Sequence, residues 1–209
     1  KYEKGIEILN QAIKIEPKNI LVLNNLGLIH SNLNNLETAE NYLERALKIK
    51  KNYLEASINL GNVKLELNKN VEAIRILTNV LDENKNNYFL NFTLGNAYQQ
   101  SGDFEKSKNY FDKCLKINPN NTAADKSISL MIKYNKDHEH LKNMEAKLNN
   151  SLSTQNQMFL NFALGKAYED CDNFKTSFIC YKKANDIKNK LVNFNLKKEN
   201  EFFTKLKNL

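Results

Sequence analysis

Asn25 to Gly61 reads NLGLIHSNLNNLETAENYLERALKIKKNYLEASINLG, and its two ends decide the fold. The stretch opens and closes on the same Asn-Leu-Gly triplet, 34 residues apart. Gly95 follows Gly61 by another 34, and Gly165 lies 70 further on, close to two more periods. A period of that length builds a stack of helical hairpins, each of which buries its apolar side against its neighbours. It also sets the kind of function to expect, a curved surface that holds something.

Other residues keep the same phase. Twelve positions after each glycine comes a small residue, Ala39, Ala73, Ser107 or Ser177, and sixteen after comes a large one, Leu43, Leu77, Phe111 or Tyr181. Nineteen after comes Ala46, Val80, Cys114 or Ala184. Small residues at the glycine and alanine phases let two antiparallel helices approach closely, and Leu26, Leu60, Leu94 and Leu164 fill the seam. Asn34, Asn68, Gly102 and Asp172 stand seven past each glycine. These types tolerate left-handed backbone, so each is expected to end the first helix of its hairpin. Pro119 cannot continue a helix and closes a repeat.

This constellation resembles the tetratricopeptide repeat (TPR). The resemblance implies an all-α fold, a right-handed α-solenoid of TPR helical hairpins with a C-terminal capping helix. The expected organisation is the second helix of a truncated repeat over 1–19 and full repeats over 20–53, 54–87 and 88–121. A degenerate fourth repeat over 122–157 has Ser129 at the glycine phase, and a fifth spans 158–191. All belong to one solenoid domain, closed by a capping or connecting helix in 192–209 that brings Phe202, Phe203 and Leu206 onto the last repeat. Helices in the degenerate repeat are expected at about 122–135 and 137–149. Ile6, Leu9, Ala12 and Ile13 mark the apolar face of the first segment. Because the chain starts with half a hairpin and without methionine, it reads as a piece of something longer.

The formal charge of +7 raises the question of nucleic acid. The lysines are spread along second helices and turns, where they read as solvated, and only Arg45 and Arg75 are present, so no nucleic-acid partner is expected. No apolar run is long enough for a membrane helix, so no membrane partner is expected either. Cys114, Cys171 and Cys180 lack pairing spacing and fit free thiols in a reducing, cytoplasmic compartment.

Candidate chemistry is thin. Asp137, His138, Glu139 and His140 are metal-ligand types, but residues two apart on a helix diverge, so the stretch reads as a solvated helix start and no metal is assigned. His30 stands at a packing phase. No phosphate-binding glycine loop or nucleophile elbow occurs, and no catalytic residue is assigned. Phe104 and Phe174 are expected in the core.

The concave face of the first helices is the expected binding surface, for a protein or peptide ligand. By phase it takes Asn24, Asn25 and Leu28 from the first repeat and Ile58, Asn59 and Asn62 from the second. Phe89, Phe92, Asn96 and Gln99 come from the third, and Phe162 and Lys166 from the fifth. Asn59, Asn62, Phe92 and Asn96 are its expected centre. Asparagine both donates and accepts, so a row of them can hold an extended peptide backbone.

Asn25 and Asn59 occupy a phase that resembles the asparagine ladder of O-GlcNAc transferase repeats, although Thr93 and Ala163 interrupt it. Chaperone-binding TPR domains grip a carboxylate with lysine and arginine at phases that here carry Asn24, Glu55, Phe89 and Thr93, so that use is not expected. The run Phe162-Ala163-Leu164-Gly165-Lys166-Ala167, with Phe178, Tyr181, Ala184 and Asn185 after it, resembles the last repeat of bacterial TPR sulfotransferases. That resemblance implies a non-catalytic N-terminal region and a covalently linked catalytic domain after Leu209. Such a domain would use 3′-phosphoadenosine 5′-phosphosulfate, while the chain itself needs no cofactor. A stand-alone interaction scaffold, or the array of an O-GlcNAc-transferase-like enzyme, are the other expectations.

Overall fold

The computed structural model describes residues 2–192. The described residues form α1 (Tyr2–Ile15), α2 (Ile20–Asn32), α3 (Leu36–Ile49), α4 (Leu54–Glu66), α5 (Asn70–Thr78), α6 (Tyr88–Gln100) and α7 (Phe104–Ile117). After these come α8 (Ala123–Ser129), α9 (Glu139–Ala146), the 3-10 turn η1 (Lys147–Asn149), α10 (Thr154–Asp170) and α11 (Phe174–Leu191). Among them there is no strand. Two compact units result, Lys1–Asn118 and Pro119–Leu209. The capping helix expected in 192–209, with Phe202 and Phe203, lies outside the described residues apart from Val192.

In the first unit α2 pairs with α3, α4 with α5 and α6 with α7, and each hairpin packs on the next through α3 against α4 and α5 against α6. Since each helix reverses the last, α2, α4 and α6 run parallel and form one layer, with α2 beside α4 and α4 beside α6. The glycine phase makes the hairpins tight. A Cβ on Gly27 would lie 2.5 Å from Leu43 Cγ, one on Gly61 2.8 Å from Leu77 Cδ2, and one on Gly95 2.6 Å from Phe111 Cε1. Leu43, Leu77 and Phe111 are fully buried. The residue sixteen after each glycine therefore occupies the space that the missing side chain leaves. In α10 and α11 the pair is Gly165 and Tyr181, at 2.8 Å. Where the small residue of the second helix is serine, its hydroxyl donates to the glycine carbonyl, Ser107 Oγ to Gly95 O and Ser177 Oγ to Gly165 O, each at 2.8 Å.

The four turn residues take left-handed backbone: φ is +60° at Asn34, +59° at Asn68, +82° at Gly102 and +57° at Asp172. Each is followed by a backbone N–H that reaches back five residues, as Asn35 N to His30 O at 2.9 Å and Lys69 N to Lys64 O at 2.8 Å. This is the Schellman arrangement, which ends the helix and turns the chain. The second helices then start on Asx caps in two cases, Asp103 accepting from Lys106 N and Asn173 from Thr176 N.

Two expectations fail in the packing. Phe104 and Phe174 are 55% and 63% exposed, because each is the first residue of its helix and points away from the seam. In the degenerate repeat α8 ends at Ser129, not near 135. Tyr134 gives its backbone N–H to Asp170 Oδ2 at 3.2 Å, so that N–H is withdrawn from a continuing helix.

A polar device also holds the first unit. Lys64 on α4 is buried, with its side chain 5% exposed, and its ammonium meets Glu40 and, at 3.2 Å and 2.6 Å, Glu44 and Glu72. Burial alone would lower the lysine pKa, but the hydrogen bonds that Lys64 donates to Glu40, Glu72 and Glu44 outweigh it and hold it above the ordinary value. Lys64 stands apart from the lysines of second helices and turns that the sequence reads as solvated. Glu40 is itself partly buried, which opposes its charge, yet Lys64 and Lys69 bring its pKa below the ordinary 4.5.

Two measurements follow from this packing. Gly95→Ala should destabilise the chain by about 1–2 kcal/mol in urea unfolding, since the clash with the buried Phe111 ring exceeds the helix-propensity gain. Gly5→Ala, whose Cβ meets only Ile29 Cδ1 at 3.6 Å, should stabilise by about 0.5–1 kcal/mol. A reversed order would mean that the glycine phase does not set the helix separation. Glu40→Gln should reduce stability at pH 7 by about 1–3 kcal/mol. Because the folded-state pKa of Glu40 is depressed, its contribution is present above about 4.5 and is lost as the pH falls further. Unfolding curves of the wild type and Glu40→Gln should therefore converge in acid.

Candidate functional site

The layer of parallel helices α2, α4 and α6 opens onto a concavity of about 340 Å³. Leu28, Ser31 and Asn32 line it from α2, Asn59, Asn62, Leu65 and Glu66 from α4, and Asn96 and Gln100 from α6. All but Asn59 lie in the C-terminal halves of their helices. The same three phases recur. Leu28, Asn62 and Asn96 form one row, Ser31 and Leu65 a second, and Asn32, Glu66 and Gln100 a third, at the last residue of each helix.

Of the residues expected from the sequence, Leu28, Asn59, Asn62 and Asn96 are gathered there. Asn24 is 7% exposed and accepts a hydrogen bond from Asn59 Nδ2 at 2.9 Å, so it supports the lining from beneath and is not itself open to a ligand. Asn25 is exposed but does not line the concavity. Ile58 packs against the core cluster around Leu77 and Leu90. Phe92 stacks on Tyr88 and meets the edge of Phe111, which draws it out of the expected centre, while Phe89 is exposed and edge-on to Tyr88. Gln99 is half-buried outside the lining. In the second unit Lys126 lies 5.5 Å from the ring centroids of Phe159 and Phe162, and Lys166 pairs with Asp170 at 2.5 Å.

Asn32, Glu66 and Gln100 were absent from the expected set. Their signal is in the sequence, because each lies four residues after Leu28, Asn62 or Asn96 and so on the same helix face.

The second unit holds the other polar cluster. Asp125 on α8 is fully buried and accepts two hydrogen bonds from Lys147 Nζ at 2.8 Å and 2.7 Å. It also meets His140 Nε2 at 3.0 Å, and His140 Nδ1 lies 2.7 Å from the Tyr134 hydroxyl. Burial, with the Asp125 and Asp170 charges behind it, pushes the Tyr134 phenol far above its usual range. His138 caps α9 through Nδ1, which accepts from His140 N at 3.2 Å. The expectation of a solvated helix start is thus wrong for His140, because Asp125 and Tyr134 draw the ring inward. Among the described residues no group of three or more His, Cys, Asp or Glu is placed to hold a metal ion. His30 stacks on Tyr42, with ring centroids 5.7 Å apart. Cys114, Cys171 and Cys180 are unpaired, and burial pushes the Cys114 thiol up to about 12.

A stack of helical hairpins with a groove along its first helices is the class that these observations define. Residues 21–53 and 90–121 match the tetratricopeptide repeat family, so the chain carries TPR repeats. No curated protein matches the sequence. Among solved structures, a tetratricopeptide repeat protein from Parabacteroides merdae ATCC 43184 aligns with TM-score 0.69 at 18% identity, over 96% of this chain and 76% of its own. YrrB, a TPR protein with an unusual peptide-binding site, aligns with TM-score 0.62 at 20% identity, over 87% and 93%. MamA from Desulfovibrio magneticus RS-1 aligns with TM-score 0.58 at 17% identity, over 90% and 86%. At these identities the likeness is one of fold. No helix among the described residues is long and apolar enough to cross a membrane.

Removing Asp125 should be severe. Asp125→Ala leaves the ammonium of Lys147 buried without its carboxylate, and should lower stability by about 3–5 kcal/mol in thermal or urea unfolding. Asp125→Ala paired with Lys147→Met should recover a large part of that loss, whereas equal losses in the single and double variants would show that the two side chains do not depend on each other.

Proposed function

We propose that this chain is a peptide- or protein-binding scaffold that takes an extended segment along the groove of α2, α4 and α6. The supporting observation is the concavity itself, where Asn59, Asn62 and Asn96 stand on neighbouring parallel helices. Each carboxamide offers a donor and an acceptor, the pair that a peptide backbone needs. The YrrB likeness supports the reading at the level of fold. The three unpaired thiols support a reducing, cytoplasmic setting.

A second reading keeps this role and adds a sulfotransferase-like domain after Leu209, with 3′-phosphoadenosine 5′-phosphosulfate as its donor. It rests on the resemblance of about the last seventy residues, of which the Phe162–Ala167 run is the most characteristic part. Packing already accounts for much of the Phe162–Ala167 run, since Ala163, Leu164 and Ala167 are buried, Gly165 faces Tyr181 and Lys166 pairs with Asp170. The coding sequence beyond Leu209 tests this reading by the presence of a phosphate-binding loop after a strand.

For the groove, Asn62→Ala with Asn96→Ala should weaken capture of displayed peptides at least tenfold and leave the unfolding midpoint nearly unchanged. Loss of stability without loss of capture would assign these residues to the fold and remove the groove reading.

A further inference from the structure

We propose that the groove of α2, α4 and α6 selects an extended segment carrying a basic side chain, lysine or arginine, which Glu66 receives. This rests on the groove reading above and adds the charge of the occupant. Four observations converge on it.

Glu66 is the one charged side chain in the lining, and it is exposed. Among the described residues no lysine, arginine or histidine forms an ion pair with it. Its position is the last residue of α4, flanked by Asn32 and Gln100 at the last residues of α2 and α6. Three helix C-termini thus meet at one end of the groove, and each carries partial negative charge.

The caps leave that charge open. At α2 the turn N–H groups are spent on the carbonyls of His30 and Ser31, at α4 on those of Lys64 and Leu65, and at α6 on those of Tyr98 and Gln99. Among the described residues no backbone N–H takes the carbonyls of Asn32, Glu66 or Gln100. The floor adds another acceptor. Asn59 gives one N–H of its Nδ2 to Asn24 Oδ1, and its own carbonyl oxygen stands ready for a ligand's N–H. An acceptor-rich end with one carboxylate and no basic lining side chain suits a group made of donors, and an ammonium or guanidinium is such a group.

The test is selection of a bead-displayed library of random nonapeptides on the intact 209-residue chain, against Glu66→Gln, Glu66→Lys and the Asn62→Ala, Asn96→Ala variant. Glu66 is exposed and unpaired among the described residues, so its variants should keep the wild-type unfolding midpoint. The expected result is enrichment of Lys or Arg at one position, an affinity loss of about tenfold for those peptides in Glu66→Gln, and a turn toward Asp or Glu in Glu66→Lys. Peptides that need Asn62 and Asn96 but show no basic preference, or one that survives in Glu66→Gln, would overturn the inference and keep the groove. Selection of no peptide, or of peptides indifferent to all three variants, would remove the groove reading and this inference with it.

Discussion

Contact between a glycine on one helix and a large side chain on the next is the constraint on which the rest of this structure depends. Leu43, Leu77 and Phe111 lie where a Cβ on Gly27, Gly61 or Gly95 would have to be. The small residues Ala39, Ala73 and Ser107 keep the same hairpins close and are fully buried. With the helix separation fixed, the left-handed residue at Asn34, Asn68 or Gly102 fixes the reversal. Repeating both at one spacing lays α2, α4 and α6 side by side with equal phases at equal heights. The rows of the groove are a by-product of that registry: Leu28, Asn62 and Asn96 align because Gly27, Gly61 and Gly95 do.

The degenerate repeat shows what happens when the constraint is lifted. Ser129 stands at the glycine phase, and its hydroxyl turns back onto Lys126 O at 2.7 Å. Its first helix is reduced to α8, and no close hairpin replaces what is lost. Side-chain chemistry takes over instead, through Asp125 with Lys147 and His140, and Tyr134 with His140. Thr122 adds a hydrogen bond to Asn156 O at 2.5 Å. Directional polar contacts can hold an irregular backbone that knobs and gaps cannot, at the cost of burying charge that must stay paired.

The same contrast explains what was legible in the sequence. Glycine, small residue and left-handed turn recur at fixed offsets, and each has one steric meaning, so the hairpins and their turns could be read directly. The groove was half legible. Phase placed Asn62 and Asn96 correctly beside Leu28, but phase says nothing of which neighbour a side chain prefers, and Phe92 prefers Tyr88 and Phe111. Phe104 and Phe174 misled because an amphipathic pattern counts apolar residues without regard to the first turn, where the side chain has little of the hairpin against it. Lys64 and His140 were invisible for a different reason. Their burial depends on carboxylates 24 and 15 residues away, Glu40 and Asp125, and no periodicity marks such a pair.

These two kinds of determinant also divide the surface. Lys64 and Glu66 are two residues apart on α4 and face opposite ways. Lys64 points to α3 and α5, where Glu40, Glu44 and Glu72 consume its charge in holding hairpins together. Glu66 points to the groove, where among the described residues nothing consumes its charge. A scaffold needs both, since a charge spent inside the fold cannot select a ligand and a charge left outside contributes little to stability. The tight glycine contacts make this division possible: because steric fit sets the geometry of each hairpin, Asn62, Glu66 and Asn96 on the first helices are released from structural duty and remain available on the concave side.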